Sequence, residues 1–306
     1  MQTIDLSNAS VRSIRATIRK AEKTYNDAVT EVGEKLASVA ALRYLLLSGP
    51  SCSGKTTSAA KVAAVLEATG RRVKVISIDD YYKIFEDLER TSENGDEIDF
   101  ESVNSIDLAC LRAVVKGLTD GETVQLPKYD FSTNHVTAYE TFTPEPNDVY
   151  IFEGIQAMYP EVMELFPAEA TRRLFVTIHS DIIASGVEID KTKLRLIRRI
   201  VRDFQFRAAD PAFTLSLWHN VRANEIQSIM PNIRPEDIVV DTLLPYEVYL
   251  LSRRLVALAP EMPQDDEFAE QFTALYDLLL PLTKSAITEA MVPADSMLRE
   301  FIGPKQ

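Results

Sequence analysis

The chain has 306 residues, 46% of them hydrophobic and 26% charged, with a formal net charge of −13. That length supports a large core, in one domain or one domain with additions. So acidic a surface is a poor general binder of nucleic acid or anionic lipid, and an anionic ligand has to meet a local basic patch. The two cysteines, Cys52 and Cys110, suggest neither a disulfide framework nor a cysteine metal site. The N-terminus lacks a signal-peptide core, and no apolar run approaches the roughly 18 residues of a membrane span. A cytoplasmic setting without a membrane partner is the expectation.

Residues 1–40 read as charged and helical, with Val11, Ile14, Ile18, Ala21 and Tyr25 on one stripe. They form an N-terminal extension expected to pack on the main domain. From Ala41 the pattern alternates. "LRYLLLS" is a buried strand, "GKTTSAAKVAAVLEATG" a helix ending at Gly70, and "RRVKVISID" a second strand. The acidic "EDLERTSENGDEIDFES" is loop-like. "SIDLACLRAVVKGL" is a helix with Leu108, Leu111, Val115 and Leu118 on one side, and "DVYIFEG" and "RRLFVTIHS" are further strands. Beyond about Glu188 the chain is mainly helical, apart from a strand at "EDIVVDT", and "DEFAEQFTALYDLLLPLTKSAITEAM" reads as C-terminal helices. The alternation predicts an α/β fold, a mostly parallel sheet flanked by helices, with helical N- and C-terminal extensions. The expected division is 1–40, 41–260 and 261–306. His179 and His219 fit no pattern and are expected to be buried imidazoles.

Between the first strand and its helix, Gly49-Pro50-Ser51-Cys52-Ser53-Gly54-Lys55-Thr56 fits G-x-x-x-x-G-K-[ST]. The glycines allow a tight turn that aims backbone N–H groups inward. The positive end of the following helix faces the same point. Lys55 can reach β- and γ-phosphates, and the Thr56 hydroxyl can ligate Mg²⁺. The stretch reads as a nucleotide-phosphate cradle, with Gly49, Ser51, Cys52, Ser53, Gly54, Lys55, Thr56 and Thr57 as the binding residues.

"ISIDDYYK" closes the next strand with Asp79-Asp80, at the carboxyl end where open parallel sheets bind ligands. A carboxylate there can accept a proton from an attacking hydroxyl. Adjacent strand residues point opposite ways, and Asp79 is the favoured one. Glu153 ends another apolar strand, where a carboxylate can support a metal site. In "KLRLIRRIVRDFQFR", Arg195, Arg198, Arg199 and Arg202 share one helical face, while Leu196, Ile197, Ile200, Val201 and Phe204 share the other. A basic stripe in so acidic a chain points to an anion, and phosphoryl transfer is a reaction that mobile arginines assist.

The cradle, "ISIDDYYK", "DFESVNSIDL", "PKYDFSTN", "FEGI" and "RLIRRIVRD", in this order and spacing, resemble the uridine kinase and phosphoribulokinase family of P-loop kinases over roughly residues 42–210. "TLSLWHNV", "NEIQSIMP" and "VPADSMLREFIG" look like a bacterial uridine-kinase-like branch of it. The resemblance implies a P-loop NTPase fold, ATP and Mg²⁺, and a small-molecule hydroxyl acceptor, most simply a nucleoside phosphorylated at its 5′-hydroxyl. A sugar or sugar phosphate is the alternative acceptor. A nucleotide-binding regulatory module with little turnover is the alternative from another class, and homo-oligomer formation is left open.

The resemblance also implies roles. Asp79 matches the general base, with Lys55, Arg199 and Arg202 assisting transfer and Arg195 and Arg207 on the nucleotide. The arginines fall on a lid-like segment at about 188–210. Thr56 and Glu153 match the metal site. Tyr82, Phe100, Glu101, Tyr129, Phe131 and Asn134 match the acceptor pocket. Glu101 stands where the nucleoside kinases carry an aspartate. Asn134 stands where they carry a histidine, and Val136 where a basic residue is usual. The lid's usual Arg-Gly is Arg207-Ala208.

Overall fold

Strand β1 (Gln2–Ile4) precedes a 27-residue helix α1 (Val11–Ala37). Then come β2 (Tyr44–Ser48), α2 (Lys55–Ala68) and β3 (Val73–Ser77). Helix α3 (Leu108–Asp120) leads to β4 (Val124–Asp130) and β5 (His135–Phe142), followed by β6 (Val149–Glu153). The one-turn α4 (Pro160–Met163) precedes β7 (Thr171–Thr177), β8 (Ile182–Ala184) and β9 (Val187–Ile189). Next are α5 (Lys191–Phe206), α6 (Pro211–Asn224) and β10 (Ile238–Asp241). The chain closes with α7 (Glu247–Ala257), α8 (Ala269–Leu279) and α9 (Arg299–Ile302). This computed structural model describes residues 1–84, 101–130, 133–263 and 267–305.

The central sheet has the order β10-β7-β2-β6-β3, and every pairing in it is parallel. Strand β2 lies in the middle, so "YLLLS" is buried at every residue, as a strand covered on both faces must be. One apolar cluster packs α1, α2, α5, α7 and α8 on one face of the sheet. The other packs α3, α4 and the β4–β5 hairpin on the opposite face. Register places Leu47 of β2 beside Glu153 of β6, and Ser77 of β3 beside the same glutamate. The carboxyl ends of three neighbouring strands therefore converge on one point.

Helix α1 starts at an N-cap, with the Ser10 side chain accepting from Ser13 N at 3.2 Å. Ile14, Ile18 and Tyr25 of its stripe are buried, and Tyr25 Oη hydrogen-bonds Ser58 Oγ of α2 at 2.8 Å. Residues 2–4 differ from the helical reading. They form β1, which pairs in parallel with β8 in a small sheet completed by β9. The partner lies about 180 residues away, beyond the reach of local periodicity. "PKYDFSTN" belongs to the β4–β5 hairpin, whose pairing shifts between Lys128 and Tyr129. After α8 the chain runs through short 3₁₀ turns rather than a continuous helix, because Pro281 and Pro293 interrupt it. His179 and His219 are both exposed, so neither is a core imidazole.

Candidate active site

The loop between β2 and α2 is shaped by two glycines with different jobs. A Cβ on Gly49 would collide with the carbonyl oxygen of Val176 in β7, so only glycine lets β2 leave the sheet this close to its neighbour. Gly54 caps α2 at φ 86°, the left-handed region that glycine reaches without cost. Cys52 is also left-handed, at φ 60°, but has a Cβ. The loop's carbonyls are held from outside. Arg195 Nη1 donates to Ser51 O at 3.4 Å, Arg198 Nη1 to Cys52 O at 3.1 Å, and Thr242 Oγ1 to Ser53 O at 2.7 Å. Three successive carbonyls are thus drawn outward, and Ser53 N donates to Pro50 O at 3.2 Å; the loop N–H groups not bonded within the protein are the donors that a phosphate nest uses. Lys55 Nζ meanwhile donates to Gly49 O at 3.0 Å and Pro50 O at 3.2 Å.

The arginine stripe is therefore not uniform. Arg198 is fully buried and bidentate to Glu247, at 2.7 Å from each oxygen. Arg195 is buried against Glu225 at 2.6 Å. Both brace the loop from behind. Leu196, Ile197, Ile200 and Val201 are buried on the other side of α5, but Phe204, read as part of that apolar face, is exposed because the helix emerges into solvent over its last turn. Arg199 and Arg202 point toward the cradle's mouth. Arg199 Nη1 donates to Ser51 Oγ at 3.1 Å and lies 3.6 Å from Glu101 Oε1. Arg202 Nε donates to Asp203 Oδ1 at 2.8 Å, and Arg207 reaches the same oxygen at 3.7 Å. Asp203 is buried and gathers the three cations at the end of the helix.

Asp79 and Asp80 part company in a 3₁₀ turn spanning Ile78–Tyr81. Asp80 accepts from Lys128 Nζ at 2.8 Å and Tyr129 N at 3.1 Å, which spends it on the hairpin. Asp79 faces the cradle. Burial pushes its carboxyl pKa up, opposed by the positive charges of Lys55, Arg207 and Arg202. Glu153 Oε1 accepts from Thr56 Oγ1 at 3.2 Å and Ser77 Oγ at 3.4 Å. Burial, reinforced by the charge of Asp79, raises its pKa from the ordinary 4.5 to about 7.

Such a carboxylate is under-compensated, and a divalent cation beside Thr56 and Glu153 would correct that. No cluster of three acidic, histidine or cysteine ligands occurs among the described residues. Mg²⁺ suits this donor set, because it binds through one or two protein oxygens plus phosphate and water. In the metal-free chain the proton on Glu153 stabilises the fold. That contribution is complete below about pH 4.5 and is lost as pH rises through about 7. Thermal melting of metal-free protein should show a loss of about 3 kcal/mol between pH 5 and 8. Glu153→Gln should remove that share of the dependence, leaving the part that the buried Asp79 and Glu247 contribute.

Of the residues that the sequence assigned to an acceptor pocket, Tyr82 lies beside Asp79. Tyr82 is buried, its ring 5.8 Å from that of Tyr129, and its hydroxyl accepts from Gln156 Nε2 at 3.4 Å. Glu101 is tied to Arg199 and accepts from Asn224 Nδ2 at 3.2 Å, while Tyr159 Oη donates to its backbone oxygen at 3.1 Å. Asn134, just before β5, adopts φ 56°, the left-handed region that asparagine reaches more readily than most residues do. Phe100 and Phe131 lie outside the described residues. Sequence reasoning assigned no role to Asn224 and Glu225, although both open the quoted "NEIQSIMP", and it passed over Thr242 and Glu247. Asn224 and Glu225 both face inward because a π-turn at Glu225–Ile229 follows α6 directly, widening the helix there.

Ala208 adopts φ 51° just past the end of α5. An L-residue pays about 1 kcal/mol there that glycine avoids. Ala208→Gly should therefore stabilise the protein by about 0.5–1 kcal/mol, read as a raised melting temperature.

A five-stranded parallel sheet with a braced phosphate loop at its centre, carboxylates on the adjoining strand ends and arginines over the mouth defines a P-loop phosphotransferase. Residues 45–249 match the model of the Phosphoribulokinase / Uridine kinase family, and the chain belongs to that family of kinases. It is 33% identical over 196 residues to a uridine kinase of Macrococcus caseolyticus, covering 63% of this chain and 85% of that protein. It is 30% identical over 234 residues to uridine-cytidine kinase-like 1 of Mus musculus, covering 75% of this chain but 38% of that protein. Among solved structures, a chain described as a fructose transport system kinase of Silicibacter sp. shares the fold. The TM-score is 0.51 at 18% identity, over 69% of this chain and 98% of that one. No helix among the described residues is long and apolar enough to cross a membrane.

Proposed function

We propose that this kinase transfers the γ-phosphoryl group of ATP to a hydroxyl of a nucleoside-like acceptor. The observation that carries the reading is the convergence on one cradle of Lys55, the Thr56–Glu153 pair, Asp79 and the Arg199–Glu101 link. Backbone N–H groups of the loop from Ser51 to Thr56 hold the donor phosphates. Lys55 leaves the loop carbonyls to reach the β- and γ-oxygens. Thr56 and Glu153 are the residues that would hold Mg²⁺, which when bound would supply positive charge beside the phosphate oxygens.

Asp79 accepts the proton of the attacking hydroxyl as the new oxygen–phosphorus bond forms and ADP departs. Glu101 hydrogen-bonds acceptor hydroxyls, and Tyr82 and Tyr129 offer ring faces to the rest of the molecule. Arg199, Arg202 and Arg207 take up the charge spread over the transferred group. Asp203 pre-positions them, so the cations are assembled before the ligand arrives.

A sugar acceptor is the second reading, and one feature favours it. Beside Glu101 opens a cleft of about 610 Å³ whose wall carries Asn220, Asn224, Gln227 and Asn232. Carboxamides both donate to and accept from neutral hydroxyls. The test is acceptor-dependent ADP release from Mg-ATP with a panel of nucleosides, sugars and sugar phosphates. Stimulation by uridine or cytidine is expected. Stimulation by sugars alone would transfer the assignment to them. ATP binding with no acceptor response across the panel would favour a regulatory module.

A further inference from the structure

The segment following Val292 lies beyond the stretch matching the family and crosses the outer side of the cradle. Its anchors are buried. Phe301 is fully buried beneath the Arg198 guanidinium, 4.9 Å from ring centroid to carbon. Ser296 Oγ donates to Glu22 Oε1 of α1 at 2.5 Å, and Ile302 O accepts from Arg254 Nη2 at 3.1 Å. Between these anchors, Met297 packs on Gly54 so closely that a Cβ there would lie 2.9 Å from its sulfur. Glu300 Oε2 accepts from Thr57 Oγ1 at 2.9 Å.

Two adjacent threonines at the start of α2 thus serve two carboxylates. Thr56 turns to Glu153, and Thr57, about 100° further round the helix, turns to Glu300. The sheet order gives these directions meaning. Asp79, Tyr82 and Glu153 belong to the β6–β3 side of the cradle, whereas Thr242 follows β10 on the opposite side and meets Gly54 together with Met297. In-line transfer requires the acceptor and the departing ADP to lie on opposite sides of the γ-phosphorus. With the acceptor beside Asp79, the donor's nucleoside leaves toward Thr242, Met297 and Glu300.

A carboxylate can only accept hydrogen bonds, and beside a triphosphate it is repelled unless a donor meets it. The groups that follow the phosphates along a nucleotide and can donate are the ribose hydroxyls. Among the described residues Glu300 Oε1 makes no hydrogen bond, while Oε2 is held by Thr57. We propose that Glu300, presented by this C-terminal strap, grips the ribose hydroxyls of the donor nucleotide and so selects ribonucleoside triphosphates over their deoxy forms. The proposal rests on the cradle binding the phosphate donor.

Calorimetric titration of the full chain, in the presence of Mg²⁺, tests both statements separately. The probes are ATP, 2′,3′-dideoxy-ATP and inorganic tripolyphosphate. The wild type should bind ATP at least about 10-fold more tightly than the dideoxy analogue, the worth of a charge-assisted hydrogen bond. Glu300→Ala should bring that ratio to within about 2-fold and leave tripolyphosphate affinity within about 3-fold of wild type. A wild-type ratio near one overturns the proposal even if the variant does not fold. A variant that binds all three ligands more tightly, with the ATP preference intact, also overturns it and makes Glu300 an electrostatic brake. A wild type that binds none of the three overturns the donor reading itself.

Discussion

Asp79→Asn should lower kcat by about 10³-fold while ATP still binds, with ADP release and calorimetry as the two readouts. The expectation follows from where the two neighbouring aspartates point. Asp80 is occupied by Lys128 and by the Tyr129 backbone, so it cannot take over the proton. Asp79 lies within the field of Lys55, Arg202 and Arg207 but is no part of the loop that holds the phosphates. Removing its charge lessens repulsion against the triphosphate, so donor affinity should hold or rise slightly. The amide keeps the shape and loses the basicity, so the loss should fall on kcat more than on the acceptor KM. Because burial raises the Asp79 pKa, the wild-type rate should climb with pH as this carboxyl ionises. That limb should be absent from the residual activity of the variant. A variant with kcat within a few-fold of wild type would remove Asp79 from the chemistry and favour the regulatory module.

Local spacing explains which of these features could be read in advance. The cradle and the strands ending at Ser48, Ser77 and Glu153 each occupy a few consecutive residues, and burial on both faces leaves apolar runs at β2 and β6, whereas the strand read as continuing to Asp79 gives way to a turn after Ser77. Features that depend on a distant partner left no such trace. The β1–β8 pairing and the Thr57–Glu300 contact join residues about 180 and 243 positions apart. The arginine stripe shows the limit most clearly. Helical periodicity correctly puts Arg195, Arg198, Arg199 and Arg202 on one face, but it cannot say which meet ligand and which meet protein. That depends on Glu225 and Glu247, isolated acids in later segments whose positions are set by tertiary packing.

The division of labour within that stripe leads to the second large effect. Arg198→Met should destabilise the protein by about 3–5 kcal/mol, measured by denaturant unfolding. Arg198 and Glu247 are both fully buried, and the bidentate pair is what makes the carboxylate tolerable there. Burial already raises the Glu247 pKa, with Arg198 opposing the shift. Without the arginine the raised pKa rises further. A carboxyl raised on folding stabilises below its unfolded pKa and loses that contribution as pH rises. The variant's deficit should therefore be smallest near pH 5 and grow toward pH 8. Adding Glu247→Leu removes the stranded charge and should recover much of the stability, as replacing whole buried pairs often does. ATP affinity should not recover with it. Arg198 also holds the carbonyl of Cys52, whose left-handed backbone carries a Cβ and needs that hold, and neither methionine nor leucine supplies a donor. A double variant that is stable yet binds ATP poorly would assign the buried arginine to shaping the cradle. One that regains both would reduce Arg198 to one half of a buried ion pair.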